Sequence, residues 1–505
     1  MIVSTMIYFR SLLNFINNLI ILLLSIVLLT IFSCNYYEVV IENEIPIPVE
    51  LSPIVYSNGN FTINWSMSTE NDFKVYNLNE SLFSDMSDET LIFSSTSKHD
   101  TVFIVENIVE GAEQFYQVTV LDTGNLSSRS NIAYAAAPII SYQKEFGGQG
   151  IDIAYSVQQT ADEGLIIAGR TDSWGSGGID GWLIKTNNEG HEEWNRTYGS
   201  EDDDYIRKIE VLSDGGYILT GTTNSFGYGS NDIWLFKVDQ DGLEEWQFTF
   251  GGTDDDWGMS VEQTMDDGFI MVGHTLSYGA GYYDIYMVKT DAFGNEEWHQ
   301  TFGGTEEDFG YSVLQSSDGG YVVLGFTVSF GSGNKDVWLI KTDAQGNMQW
   351  DKTFGGTESE IGFDIKKTTD GGYIITGYTE SNSNGLYDVL LIKTDSNGNE
   401  IWSKNIGNGN YESGSSVTQT FDGGFIITGY TISYGNGARD IWLIKIDGNG
   451  NVEWTQTYGG ILNEGGHQIL QTLSGGYVVV GYTESRGNGQ KDFKLIKTSP
   501  TPYGF

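Results

Sequence analysis

Hydrophobic and polar positions between residues 141 and 498 alternate in short runs, and the runs recur at one fixed spacing. In a representative copy they predict four strands, separated by turns rich in Gly and Asp: Ser260–Thr264, Phe269–Thr275, Asp284–Lys289 and Glu297–Phe302. One aromatic column shows the spacing, because each member lies 52 residues from the next: Tyr142, Trp194, Trp246, Trp298, Trp350, Trp402 and Trp454. The segment is therefore seven copies of one four-strand unit.

Repeats of roughly this length with four strands per copy are typical of β-propellers, in which each unit forms one blade. We therefore predict an all-β chain with a seven-bladed β-propeller over residues 139–505. The chain enters the repeat at a fourth strand, Ser141–Phe146, and leaves it after a third strand, Asp492–Lys497. The N-terminal strand should therefore complete the last blade, which leaves no unpaired edge there.

The repeated motifs resemble those of a known family. Trp-x-x-Thr-Phe-Gly-Gly, Asp-Gly-Gly and Asp-Ile-Trp-Leu-Ile-Lys-Thr-Asp are similar to SBBP-type β-propeller repeats of secreted bacterial proteins. This resemblance implies the fold and says little about function. The turns between the first and second strands carry Gly at 164 and at every equivalent position, which we expect to supply the positive φ of a hairpin turn.

Residues 46–138 lack the repeat and show short alternating strands at 61–65, 73–76 and 115–120. Their length fits one β-sandwich. Trp65, Tyr76, Tyr116 and the ending at 122–130 together resemble a fibronectin type III domain. The resemblance implies a Trp in the core, a corner hydrogen bond from Tyr116, and the role of a spacer or binding module.

The N-terminus carries an apolar run over residues 19–33, followed by the only cysteine, Cys34. A short apolar core that ends at small residues predicts a secretory signal, and it is short for a membrane-spanning helix, which needs about 20 apolar residues. Residues 31–34 resemble a bacterial lipobox, which implies cleavage before Cys34 and lipidation of its thiol. An uncleaved membrane anchor and a free thiol are the alternatives. The predicted organisation is a signal peptide (1–33), a tether (34–45), the sandwich (46–138) and the propeller (139–505).

Acidic residues in the tether resemble the run that follows the lipid-bearing Cys in some surface-exported lipoproteins of the Bacteroidetes type. This implies a lipid-anchored protein of the bacterial outer membrane, exposed at the cell surface. The formal net charge is −43, so a polyanion would be repelled and nucleic-acid binding is not expected. Aromatic residues at 13% and hydrophobic residues at 39% argue against disorder. We expect a monomer.

An acidic column begins the first strand of each unit: Asp152, Asp204, Asp256, Asp308, Glu360, Glu412 and Glu464. If the first strands line a channel, these carboxylates would ring one mouth, and oxygen ligands of this kind suit Ca²⁺ or Mg²⁺. The alternative is that each carboxylate caps nearby backbone amides. A second acidic column begins the third strands at Asp180 and its six equivalents, and we expect it to bond the Thr and Ser hydroxyls that end the second strand.

An aromatic column follows the second strands and is a candidate ligand-binding surface. Its members are Trp174, Phe226, Tyr278, Phe330 and Tyr434, with Asn382 and Arg486 at the other two positions. Exposed rings of this kind stack on sugars or contact a protein partner, whereas the alternative is packing between blades. The sequence shows no catalytic motif.

Two functions therefore stay open from the sequence. The first is a surface-anchored, non-enzymatic scaffold that binds an extracellular protein or glycan. The second is a propeller enzyme, a hydrolase or lyase, acting on extracellular polysaccharide. The strongest breaks in the repeat, Arg207-Lys208 and Asp364 with Lys366-Lys367, are not in neighbouring units, and this separation weakens the enzyme interpretation.

Overall fold

The computed structural model describes residues 45–57, 60–108, 112–136, 140–383 and 385–499. The predicted signal peptide and Cys34 lie outside the described residues, as does all but the last residue of the tether. The regular elements of the described part are strands. No helix in that part has the length and hydrophobicity needed to cross a membrane.

Eight strands precede the repeats. They are β1 Val55–Ser57, β2 Asn60–Asn64, β3 Phe73–Ser81, β4 Thr90–Ser95, β5 Val102–Val105, β6 Glu113–Asp122, β7 Ser127–Arg129 and β8 Ala133–Ala136. Strands β1, β2 and β5 belong to one sheet, and β4, β3, β6 and β7 form a second, with β8 also paired to β6. One core joins the two sheets and contains Phe61, Trp65, Tyr76 and Tyr116. The region is therefore a small β-sandwich.

The repeat region contributes the remaining strands in chain order. They are β9 Ile140–Phe146; β10 Asp152–Gln159; β11 Leu165–Thr171; β12 Asp180–Thr186; β13 Glu192–Tyr198; β14 Asp204–Val211; β15 Tyr217–Thr223; β16 Asp232–Val238; β17 Glu244–Phe250; β18 Asp256–Gln263; β19 Phe269–Thr275; β20 Asp284–Thr290; β21 Glu296–Phe302; β22 Asp308–Gln315; β23 Tyr321–Thr327; β24 Asp336–Thr342; β25 Met348–Phe354; β26 Glu360–Lys367; β27 Tyr373–Thr379; β28 Asp388–Thr394; β29 Glu400–Ile406; β30 Glu412–Gln419; β31 Phe425–Thr431; β32 Asp440–Ile446; β33 Val452–Tyr458; β34 Glu464–Gln471; β35 Tyr477–Thr483; and β36 Asp492–Thr498.

These strands form repeated four-strand antiparallel sheets, an arrangement consistent with a β-propeller. We number the units along the chain, from unit 1 (β10 to β13) to unit 7 (β34, β35, β36 and β9). The first strands of successive units contact one another, and β34 contacts β10. The apolar clusters lie between neighbouring units, as where Tyr198 of unit 1 packs on Phe236 of unit 2. Each unit therefore buries its two faces against its neighbours.

The two ends of the repeat region meet as predicted. Strand β9 pairs antiparallel with β36, so that Phe146 lies opposite Phe493 and Tyr142 lies opposite Lys497. The predicted pairing of the N-terminal strand with the last unit is confirmed. The first strands begin at the acidic column, at Asp256 in unit 3, which is four residues before the Ser260–Thr264 run predicted from alternation. A bulge between Gly258 and Ser260 interrupts the alternation on which that prediction depended.

The positive φ in the turns before the second strands falls one residue earlier than predicted, and in five units it lies on a glycine: Gly215, Gly319, Gly371, Gly423 and Gly475. In the turn before β11 the positive φ falls on Glu163, at 63°, and in the equivalent turn before β19 on Asp267, also at 63°. The following Gly164 has another role, because a Cβ there would lie 2.2 Å from the carbonyl oxygen of Thr186. That glycine is required by close backbone approach rather than by the turn conformation.

An unexpected contact joins the sandwich to the repeats. Strand β1 pairs parallel with β33, the outer strand of unit 6, so that Val55 lies opposite Thr455 and Tyr56 lies opposite Gln456. In most units the fourth strand is largely exposed, but in β33 the residues from Trp454 to Tyr458 are buried. The sandwich thus extends the sheet of unit 6 and covers its edge.

Candidate functional site

The loops between second and third strands, and those between a fourth strand and the next first strand, share one face, which we call the loop face. The first acidic column lies buried beneath it. In unit 3, Oδ2 of Asp256 accepts hydrogen bonds from the backbone N–H of Gly252 at 2.7 Å and from Oγ of Ser277 at 2.7 Å. In every unit the acidic residue accepts a hydrogen bond from the backbone N–H of the residue four positions earlier. These donors are Gly148, Ser200, Gly252, Gly304, Gly356, Asn408 and Gly460.

Each carboxylate of this column therefore caps its own loop, which is the capping alternative. Among the described residues, no three His, Cys, Asp or Glu side chains are grouped in a way that would hold a metal ion. The calcium hypothesis for Asp152, Asp204, Asp256, Asp308, Glu360, Glu412 and Glu464 gains no support from this geometry. It stays a prediction for a measurement in solution.

The second acidic column has different partners from those predicted. Oδ2 of Asp180 accepts from the backbone N–H of Ser176 at 2.9 Å and so closes the loop between β11 and β12. The hydroxyl expected to face it belongs to Ser173, which donates to Asp152 instead. Burial raises the pKa of Asp440 in this column to about 6, and the nearby carboxylate of Glu464 adds to the effect. Pairs of buried carboxylates from successive units therefore underlie the loop face.

The predicted aromatic column lies on the loop face and packs inward within its own unit. Four of its rings pack against the aromatic side chain of the third residue in the following strand, with ring centroids 5.1 to 5.9 Å apart. These rings are Phe226, Tyr278, Phe330 and Tyr434. Trp174 is 52% exposed, and Phe330 is 45% exposed. Tyr278 and Phe330 are thus packed on one side and exposed on the other, whereas Phe226 and Tyr434 are partly buried.

The loop face carries further exposed apolar side chains that the column did not reveal. Tyr228 is 90% exposed and Tyr282 is 64% exposed, and both lie in the same class of loop as the column. Leu386 and Ile461 are also exposed on this face. These residues do not recur from unit to unit, so a search for repeated positions does not find them. A comparison of the loops for residues that differ between units would have identified them.

Charged residues that break the repeat meet at the centre of the ring. Lys208 and Glu210 lie on β14, Glu262 on β18, and Asp364 with Lys366 on β26. Nζ of Lys366 donates to Oδ1 of Asp364 at 2.7 Å, and Lys208 interacts electrostatically with both. Separation along the chain was therefore a wrong argument for keeping these groups apart, because first strands of units that are not adjacent face one another across the ring. We call these five residues the central cluster.

Burial shifts the titration of the central cluster. It raises the pKa of Glu262 to about 7, and the neighbouring Glu210 carboxylate adds to this. Burial and the charge of Lys366 lower the pKa of Lys208. Burial opposes ionisation of Asp364, but the ammonium groups of Lys366 and Lys208 outweigh it and hold the pKa of Asp364 below its usual value. The cluster thus holds a carboxyl group that titrates near neutrality.

Comparisons with known proteins give a fold likeness only. No family model and no curated protein matches the chain. Among solved structures, a protein of unknown function from Dyadobacter fermentans is 10% identical, with a TM-score of 0.40, and covers 71% of this chain and 99% of its own. The β-propeller domain of the Trilobed protease from Pyrococcus furiosus is 10% identical, with a TM-score of 0.32. The match covers 79% of this chain and 94% of that domain. The PQQ-bound aldose sugar dehydrogenase from Streptomyces coelicolor is 8% identical, with a TM-score of 0.33, and covers 71% and 99%. Likeness at this level carries no argument about activity.

Proposed function

We propose that this chain is a lipid-anchored, non-enzymatic binding scaffold of the bacterial cell envelope. Lipid at Cys34 holds it to the outer membrane, a fibronectin type III-like sandwich acts as spacer, and a seven-bladed propeller presents its loop face to an extracellular glycan or protein. The buried Trp65 and Tyr76 and the two-sheet order support the sandwich assignment. The hydroxyl of Tyr116 donates to the side chain of Gln114, so its partner is a local one.

The observation that carries the binding role is the collection of open aromatic rings on the loop face. Trp174, Tyr278 and Phe330 are exposed, and Tyr228 and Tyr282 add to the same face. Exposed rings supply binding free energy at little cost in conformational entropy, and their flat surfaces suit sugar rings as well as protein side chains. Clusters of exposed apolar groups on a soluble domain mark interaction sites.

A glycan array probed with the full chain tests this proposal against a matched control. The test variant carries Trp174→Ala, Tyr278→Ala and Phe330→Ala. The control carries Phe293→Ala and Phe421→Ala, which remove exposed rings from turns on the opposite face. We expect at least a tenfold loss of binding in the test variant and none in the control. Equal loss in both variants, or no binding to glycans or to extracellular proteins displayed in parallel, would overturn the proposal.

The anchor is tested separately in bacteria. Metabolic labelling with a palmitate analogue should mark the wild-type chain and leave Cys34→Ala unlabelled, because lipidation requires the thiol. Labelling of both chains would show that the anchor lies elsewhere, without affecting the proposed binding face.

A second candidate function is an enzyme acting on extracellular polysaccharide, and the central cluster favours it. Glu262, with a pKa of about 7, has the titration behaviour that a general acid or base needs near neutral pH. Assays for the release of reducing ends and of unsaturated products, with wild type and Glu262→Gln, test this function. Turnover lost in the variant would support it, and absence of turnover in the wild type would exclude it for the polysaccharides assayed.

A further inference from the structure

The interface between units 6 and 7 lacks the aromatic side chain that five of the other six units place at the equivalent position. The third residue of each third strand packs against the end of the preceding fourth strand, as Trp234 does on Tyr198 and Trp338 on Phe302. The residues at this position in units 1 to 6 are Trp182, Trp234, Tyr286, Trp338, Leu390 and Trp442. In unit 7 the position is Lys494, and the loop position whose ring packs on this residue in four other units is occupied by Arg486.

A cavity of about 210 Å³ lies where that ring is missing. Its walls come from three parts of the fold. Tyr56 belongs to the sandwich, Gln456 and Tyr458 belong to unit 6, and Arg486 and Lys494 belong to unit 7. Docking of β1 onto β33 therefore completes the cavity. Ligand pockets usually measure about 300–1,000 Å³, so this one suits a molecule no larger than a single sugar ring.

Two cations, Arg486 and Lys494, and one carboxylate, Glu464, line the cavity among polar, aromatic and apolar groups. Lys494 is buried and its Nζ is paired with Glu145, whereas Arg486 makes no ion pair with any described residue. Glu464 also lines the cavity, but its carboxylate is already held by the backbone N–H of Gly460 at 2.8 Å and of Ser485 at 3.0 Å. Gln456 is only 2% exposed, and its Oε1 accepts no hydrogen bond from the described residues.

We propose that this cavity binds a small hydroxylated carboxylate of the size of one acidic sugar, such as a uronic acid. The guanidinium of Arg486 is a planar fork that matches a carboxylate through two parallel hydrogen bonds. Ring hydroxyls fit the side chains of Gln143, Gln456 and Thr457 and the buried Lys494, whose Nζ is paired with Glu145. The site is independent of the proposed loop-face aromatics, because it is formed where their column is interrupted.

Calorimetric titration of the full chain with sodium glucuronate tests the proposal, with glucose and with sodium chloride at matched ionic strength as comparisons. We expect saturable binding of glucuronate and at least tenfold weaker binding of glucose. Arg486→Gln, an exposed substitution, should weaken glucuronate at least tenfold. Arg439→Gln is the matched control, because Arg439 lies in the equivalent loop of unit 6 over the ring of Tyr430 and should not matter.

A second variant tests the location. Lys494→Trp restores the ring that most other units carry at this position, so it should fill the cavity, abolish glucuronate binding and leave the fold intact. The variant without Trp174, Tyr278 and Phe330 should still bind glucuronate, which separates this site from the loop face. No saturable binding by the wild type, equal affinity for glucose, or binding that survives Lys494→Trp would each overturn the proposal.

Discussion

Asp440 and Glu464 flank Gly459 so closely that a Cβ at residue 459 would lie 1.7 Å from Oδ1 of Asp440 and 2.7 Å from Oε2 of Glu464. The two carboxylates come from successive units, and their loops meet over this glycine. The same arrangement recurs at Gly199, Gly251, Gly303 and Gly355. At each of these interfaces two buried carboxylates lie against a glycine, and they leave no room for a side chain at that position.

This pairing makes stability depend on pH in a defined direction. The pKa of Asp440 is about 6 in the folded chain and near 3.8 when unfolded, so the native state binds more protons between about pH 4 and 6. The free energy of unfolding contributed by this group therefore falls as pH rises through that window. Asp440→Asn removes the dependence, so the stability of wild type relative to the variant should increase from pH 7 to pH 5 in urea denaturation.

The control for this experiment is Asp395→Asn in an exposed turn. Hydrogen bonds from Asn399 lower the pKa of Asp395, so its contribution is lost only at more acidic pH. Wild type and this variant should keep a constant difference between pH 7 and pH 5. The same slope in both variants would contradict the assignment to the buried pair.

Neutralising the first acidic column separates capping from calcium binding. Asp204→Asn, Asp256→Asn and Asp308→Asn together should lower the melting temperature, because loss of a buried acceptor typically costs about 1–3 kcal/mol. The decrease should be the same with and without millimolar Ca²⁺. The exposed neighbours Asp202, Asp254 and Glu306 serve as the charge-matched control, and their neutralisation should change little. A rise in wild-type melting temperature with Ca²⁺ that only the buried variant loses would establish the metal site.

Removal of β9 tests the junction between the two ends of the repeat region. Deleting residues 140–146 leaves β36 without its antiparallel partner and exposes an edge strand, so we expect a lower melting temperature and aggregation. Light scattering and thermal unfolding measure both effects. Lys144→Ala keeps the strand and should behave as wild type. An unchanged melting temperature after the deletion would contradict the role of β9.

The lysines that end the third strands should contribute differently to the free energy of unfolding, according to how deeply each is buried. Lys289 is 2% exposed, donates to the carbonyl of Thr290 at 2.7 Å and pairs with Asp266 and Glu297. Lys237 is more exposed and pairs with Asp214 and Glu245. Lys289→Met should cost about 1–2 kcal/mol because a buried carbonyl loses its donor, and Lys237→Met about 0–1 kcal/mol. Equal losses in urea denaturation would show that the carbonyl contact adds nothing.

Periodicity predicted most of the fold, because a repeat whose strands alternate must bury each copy against the next. It also placed β9 on β36, since the phase of the repeat leaves one strand missing from the last unit. Periodicity could not predict the pairing of Tyr56 with Gln456, because that contact joins a segment without the repeat to one of seven similar edges.

The site residues were harder to predict for a related reason. Repeated positions such as Asp256 were candidate metal ligands in the sequence, but in the structure their carboxylates cap loops. The residues with unusual chemistry, including Lys208, Glu262 and Lys494, stand out only as exceptions within columns. Their grouping depends on which strands face one another across the ring or across an interface, and strand order along the chain does not show this.

The pairing of β9 with β36 has a consequence for how the protein folds. These two strands are separated by about 350 residues along the chain, and the separation between β1 and β33 is larger still. Contacts between such distant segments slow folding, because a long loop must close before they form. During synthesis the units can assemble one after another, but β9 and β1 remain open edges until the last two units emerge. The nascent chain therefore spends most of its synthesis with two strands able to pair wrongly with any of several nearly identical units, and folding yield should depend on protection of those edges.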